Sequence, residues 1–88
     1  MPRFYFDIFF GSDAQLDADG HEIDSVWAAE IEALCTAGEL AQDQLRKFQS
    51  PTPEDVRVEV RDEHQRPVLT VTVSIRVERA GLMPTLGL

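Results

Sequence analysis

Residues 24–48, DSVWAAEIEALCTAGELAQDQLRKF, are the only stretch of this chain long enough for a substantial helix. Trp27, Ile31, Leu34, Gly38, Ala41, Leu45 and Phe48 recur at alternating steps of four and three, the spacing that lines one helix face. Every other hydrophobic run alternates with period two and reads as strand. One helix laid over one sheet is the predicted organisation, with Trp27 and Phe6 as core residues. Asp24 or Ser25 supplies the N-cap, because either side chain can accept from the free amides of the first turn. Glu30 and Glu32 precede Arg46 and Lys47, the order the helix dipole favours. Gly38 interrupts the stripe at about 1 kcal/mol relative to Ala. It marks either a close approach of the helix to a strand or a kink. Ser50-Pro51-Thr52-Pro53 then stops the helix.

Working outward, Arg3 to Phe10 form a first strand with Phe4, Phe6, Ile8 and Phe10 on one face and Tyr5, Asp7 and Phe9 on the other. Gly11-Ser12-Asp13 signals a turn, and Ala14 to Asp17 return as a short second strand. On the far side of the helix, Val56, Val58 and Val60 alternate with Arg57, Glu59 and Arg61. Asp62 to Arg66 turn the chain into a long fourth strand, with Leu69, Val71, Val73, Ile75 and Val77 alternating with Thr70, Thr72, Ser74 and Arg76. The predicted fold is α+β, ββαββ, with one long helix on a four-stranded, mainly antiparallel sheet of order 2-1-3-4. The helix covers the face carrying Phe4, Phe6, Ile8, Val58, Val60, Val71 and Val73. Residues 1–79 make a single domain, and 80–88 an apolar tail broken by glycine and proline.

The chain has 88 residues, 43% of them hydrophobic, which suits one small domain with a thin core. It has no apolar run of about 18 residues, so no membrane span is expected. The opening residues enter a strand directly, without a signal-peptide core, and a cytoplasmic setting is expected. Net charge is −8, with ten acids against three basic residues in 1–49 and six against five in 50–88. That balance opposes general nucleic-acid binding, where phosphate neutralisation supplies most of the affinity. Cys35 is the only cysteine, which excludes an intrachain disulfide and reads as a small buried thiol beside Leu34. Asp17, Asp19 and Gly20 fit positions 3, 5 and 6 of a calcium loop. Gln15 and Val26 then occupy positions 1 and 12, where that site needs its first Asp and its closing Glu. His21 and His64 read as polar turn residues. No serine lies in a nucleophile motif, and no glycine loop could cradle phosphate.

Met1-Pro2-Arg3-Phe4-Tyr5-Phe6-Asp7, Asp19-Gly20 ahead of Ile23-Asp24, and Val58-Glu59-Val60-Arg61-Asp62-Glu63 carry a resemblance. Together with the Ala/Glu/Leu-rich helix they resemble a family of small bacterial proteins defined only as a domain of unknown function. The likeness covers residues 1 to about 75. It implies the fold and a bacterial cytosolic setting, and no catalytic residue. The chain departs from it at His64-Gln65, where such proteins tend to carry Asp-Gly, and in its C-terminal strand and tail.

No catalytic, cofactor-binding or metal-binding residues emerge, so the chain reads as a non-enzymatic interaction or regulatory module. The expected interaction face is the open side of the sheet, with Tyr5, Phe9, Arg57, Arg61, Thr70, Thr72 and Arg76. A homodimer is expected, through strand four, the open face or the tail, because strand four would otherwise be a long bare edge. An unidentified protein is a further possible partner. The alternatives are an antitoxin-like partner-binding domain, or a single-stranded nucleic-acid binder stacking bases on Tyr5 and Phe9.

Overall fold

The computed structural model describes residues 1–46, 55–76, 80 and 81. Among these the elements run β1 (Arg3–Phe10), β2 (Asp13–Gln15), β3 (His21–Glu22), α1 (Val26–Arg46), β4 (Val56–Arg61) and β5 (Pro67–Val73). The protein is α+β, with one helix on an antiparallel sheet. The sheet has five strands rather than four, in the path β2-β1-β4-β5 with β3 added beside β1. The extra strand is only two residues long, too short to leave an alternation in the sequence. Arg3 pairs with Glu22 and Phe4 with His21. β2 spans Asp13–Gln15 and stops before the expected Asp17. β5 ends at Val73, so the last strand is shorter than its alternating pattern suggested. Val77, the helix stop at 50–53 and the tail at 82–88 lie outside the described residues.

Both hairpins have a local cause. Phe10 pairs with Asp13 across Gly11-Ser12, and Gly11 has φ 59°, the left-handed first residue of a tight two-residue loop. At the second hairpin Asp62 Oδ1 accepts the amides of His64 at 2.8 Å and Arg66 at 2.9 Å. The Asp62 amide in turn donates to the Arg66 carbonyl at 2.9 Å. Gln65 there has φ 65°, a conformation that costs a residue with a Cβ.

Ser25 is the N-cap, its Oγ accepting from the Ala28 amide at 3.1 Å. The helix face packed on the sheet is not the expected one. Ala29, Ala33, Ala37 and Ala41, spaced by four, are buried. Trp27 is 76% exposed, and Ile31, Leu34 and Leu45 are more than half exposed. Alanine wins because its small side chain lets the helix backbone settle close to Phe4, Phe6, Val58 and Val60, with which it forms the core. A ridge of Trp, Ile and Leu there would hold the helix away and leave voids between the ridges. Gly38 lies on the outer side, and a Cβ at this position would meet nothing within 4 Å. It is therefore not a point of helix–strand contact. Cys35 is also exposed, since it follows the outer stripe rather than the alanine one. β4 is the centre of the core, with Val56, Val58 and Val60 at most 1% exposed.

Candidate functional site

The cross-strand register gathers most of the expected sheet-face residues. Phe9 lies opposite Arg57 and Tyr5 opposite Arg61, while Arg57 faces Thr72 and Glu59 faces Thr70 on β5. The Arg57 guanidinium sits 4.6 Å from the Phe9 ring centroid, and its Nε lies 2.8 Å from Glu59. Arg61 sits 5.1 Å from the Tyr5 ring centroid. Thr70 and Thr72 are exposed, and so is Arg76, three residues past the end of β5. Arg76 apart, these residues share one face of the sheet, and its two central arginines are held within the chain.

Arg61 belongs to a node that ties β1, β4 and the loop before β3 together. Its Nε donates to Asp7 Oδ2 at 2.7 Å and its Nη2 to Asp7 Oδ1 at 3.0 Å. The same Nη2 reaches the Asp17 carbonyl at 3.3 Å, and the Asp17 amide donates to Asp7 Oδ1 at 3.0 Å. The Asp17 carboxylate accepts the amides of Phe6, Asp19 and Gly20 at 3.0–3.2 Å. His21 Nε2 lies 3.6 Å from it. The Arg61 guanidinium holds the Asp7 carboxyl below the usual carboxylate range despite burial, helped by the Asp17 amide. Burial pushes Asp17 up, but the amides of Gly20, Phe6 and Asp19, with His21, more than offset it and keep Asp17 low as well. Gly20 completes the node with φ 73°. A Cβ there would lie 2.9 Å from both Arg3 Cγ and Tyr5 Cε2.

This node consumes the acidic residue that the calcium-loop comparison centred on. Among the described residues no three His, Cys, Asp or Glu side chains gather to hold a metal ion. An open cleft beside the node is lined by Phe6, Ile8, Asp17, His21, Glu32 and Thr36. Its carboxylate is saturated by backbone amides, which suits a structural role better than proton transfer.

The second candidate surface is the outer stripe of α1: Trp27, Ile31, Leu34, Gly38 and Leu45. The stripe itself was evident in the sequence, but its direction was not. The signal that decides direction is the competing row Ala29, Ala33, Ala37, Ala41, which has stricter spacing and smaller side chains.

Residues 3–74 match the domain of unknown function DUF6894. The chain belongs to the DUF6894 family. The matched span ends one residue past β5 and so contains all five strands, α1 and the Asp7–Arg61 pair. No curated protein and no solved structure matches the chain. An uncharacterised family agrees with the resemblance read from the sequence. No described helix of this DUF6894 domain is long and apolar enough to cross a membrane.

Proposed function

We propose that this DUF6894 domain is a non-enzymatic, cytoplasmic protein-interaction module, with a regulatory rather than chemical role, that self-associates. One observation carries the reading: a helix with its small residues turned inward and Trp27, Ile31, Leu34 and Leu45 turned out. Exposed apolar patches of this kind on a small domain mark association sites. Trp is among the side chains enriched at interface anchors. This moves the main interaction surface from the sheet face to the helix.

The alternative of single-stranded nucleic-acid binding on the sheet face is weakened by the intrachain partners of Arg57 and Arg61. The net charge of −8 also opposes it. An antitoxin-like role would use the helix stripe with a different protein as occupant.

The test compares Ile31→Ser and Leu34→Ser with the parent chain by thermal unfolding and light scattering. Unfolding is measured at a dilution where the parent has dissociated. The expected result is an unchanged Tm in the dilute samples and lost association in the concentrated ones. A large drop in the dilute Tm would make the stripe core and overturn the reading.

A further inference from the structure

The outer stripe and the outer strand of the sheet lie side by side. α1 packs over β4 and β5, and β5 ends the path β2-β1-β4-β5. Glu32 and Thr36 line the cleft shared with Phe6 and Ile8 of β1, so that flank of the helix faces β1. Leu34 and Leu45 lie about half a turn round the helix from Thr36, on the flank that faces β5. The core is unfinished there. The inward residues of β4 are fully buried, whereas Leu69, Val71 and Val73 of β5 remain partly exposed. β5 carries no charged residue, and its only proline is Pro67 at its start. It therefore has few of the features that protect a sheet edge.

We infer that a second copy of this chain completes that core: β5 pairs antiparallel with β5 across a two-fold axis, and the two α1 stripes meet above the joint. This rests on reading the stripe as an association surface and names its occupant. Spacing selects a second copy. Paired strands lie about 4.8 Å apart, and a helix over the β4–β5 gap sits about half that distance inside β5. The two-fold then sets the helix axes about 10 Å apart, where helices pack.

The pattern is also self-complementary. The antiparallel register that matches the exposed stripe positions puts Trp27 opposite Leu45 and Leu34 opposite Gly38. Gly38 thereby gains a purpose that nothing among the described residues supplies: it leaves room for the partner's Leu34. The opposed helices also set Glu30 against the partner end bearing Arg46. Trp27, Ile31, Leu34 and Leu45, at their exposures, offer on the order of 400–500 Å². The edge of β5 brings the patch towards the roughly 800 Å² per partner of a standard interface.

The experiment is light scattering of the full chain across concentration, with emission of Trp27, the only tryptophan. Leu34→Glu and Gly38→Phe serve as variants, and both sites are exposed within one chain, so each variant should stay folded by circular dichroism. Cys35 lies near the two-fold axis on the solvent side, so a short bismaleimide should link two parent chains. The expected result is a parent dimer with blue-shifted Trp27, monomeric variants with red-shifted Trp27, and a Cys35 cross-link lost in both variants. A dimer that survives both substitutions overturns the inference and leaves self-association through another surface. A monomer with red-shifted Trp27 overturns the second copy but keeps the stripe free for a different protein. A monomer with blue-shifted Trp27 means that the chain covers its own stripe, and overturns both this inference and the proposed function.

Discussion

Arg61 of β4 grips Asp7 of β1 with two nitrogens on two oxygens, at 2.7 and 3.0 Å, one step diagonal to the Tyr5–Arg61 register pair. The Asp7 side chain is only 8% exposed and that of Arg61 24%, so the pair sits in a weakly screened setting. Removing one partner strands the other. Asp7→Ala and Arg61→Gln should each cost about 2–3 kcal/mol in urea unfolding. The double variant should cost less than the sum of the two. Strict additivity would show that the two residues act separately.

The same node predicts acid sensitivity. Asp7 and Asp17 both titrate below the ordinary carboxylate range in the folded chain, so at low pH the unfolded chain binds more protons. Their contribution is complete above about pH 4 and is lost as pH falls through the lower folded values. The urea midpoint should drop on acidification below about pH 4, and drop less in Asp7→Asn. An equal fall in that variant would place the sensitive groups elsewhere.

Gly20→Ala should destabilise the domain by about 2 kcal/mol or more, from left-handed strain and from overlap with a rigid ring. The ring is that of Tyr5, 2.9 Å from the added carbon. The double variant Gly20→Ala, Tyr5→Leu should recover part of the loss in a thermal melt. No recovery would assign the whole cost to the backbone.

Gln65→Gly should do the reverse. With φ 65° at Gln65, glycine relieves left-handed strain worth about 1–2 kcal/mol, less the entropy it adds to the unfolded chain. A net gain of up to about 1 kcal/mol is expected in denaturant unfolding. A loss would show that the side chain of Gln65 stabilises the turn.

Helix α1 reverses the usual ranking of side-chain size. Ala33→Leu should cost about 1–3 kcal/mol by overpacking a site with no exposure. Trp27→Ala should change the stability of dilute protein by no more than about 0.5 kcal/mol. Equilibrium unfolding of the two variants measures both. A large effect at Trp27 in dilute protein would bring the stripe back into the core.

How much of this was legible in the sequence follows from the periods involved. The alternation in β1, β4 and β5 identified the sheet and its inner face, because a period of two leaves one side apolar whatever lies above it. The helix was legible as a helix, with Ser25 as one of two expected caps. Its rotation was not, because Trp27–Leu45 and Ala29–Ala41 both satisfy the 3.6 period and hydrophobicity alone favours the larger residues. Arg57 and Arg61 were legible as open-face residues, but not as arginines already engaged. Their carboxylate partners Glu59 and Asp7 share that face by alternation, but the Arg61–Asp7 contact follows only from the β1–β4 register. β3 was invisible, since two residues carry no period.

The far side of β1 is closed in three pieces: β2 pairs with Ile8 to Phe10, β3 with Arg3 and Phe4, and between them the Asp17 carboxylate takes the Phe6 amide at 3.1 Å. A side chain fills the gap where no strand runs. Beyond these pieces lie only the two- and three-residue strands β3 and β2, too short to seed another ladder. Among the described residues, growth by strand addition therefore has a single port, at β5. An object with one such port can join one neighbour by strand pairing and then stops, so a pair formed at β5 would not extend into a fibre through the described sheet.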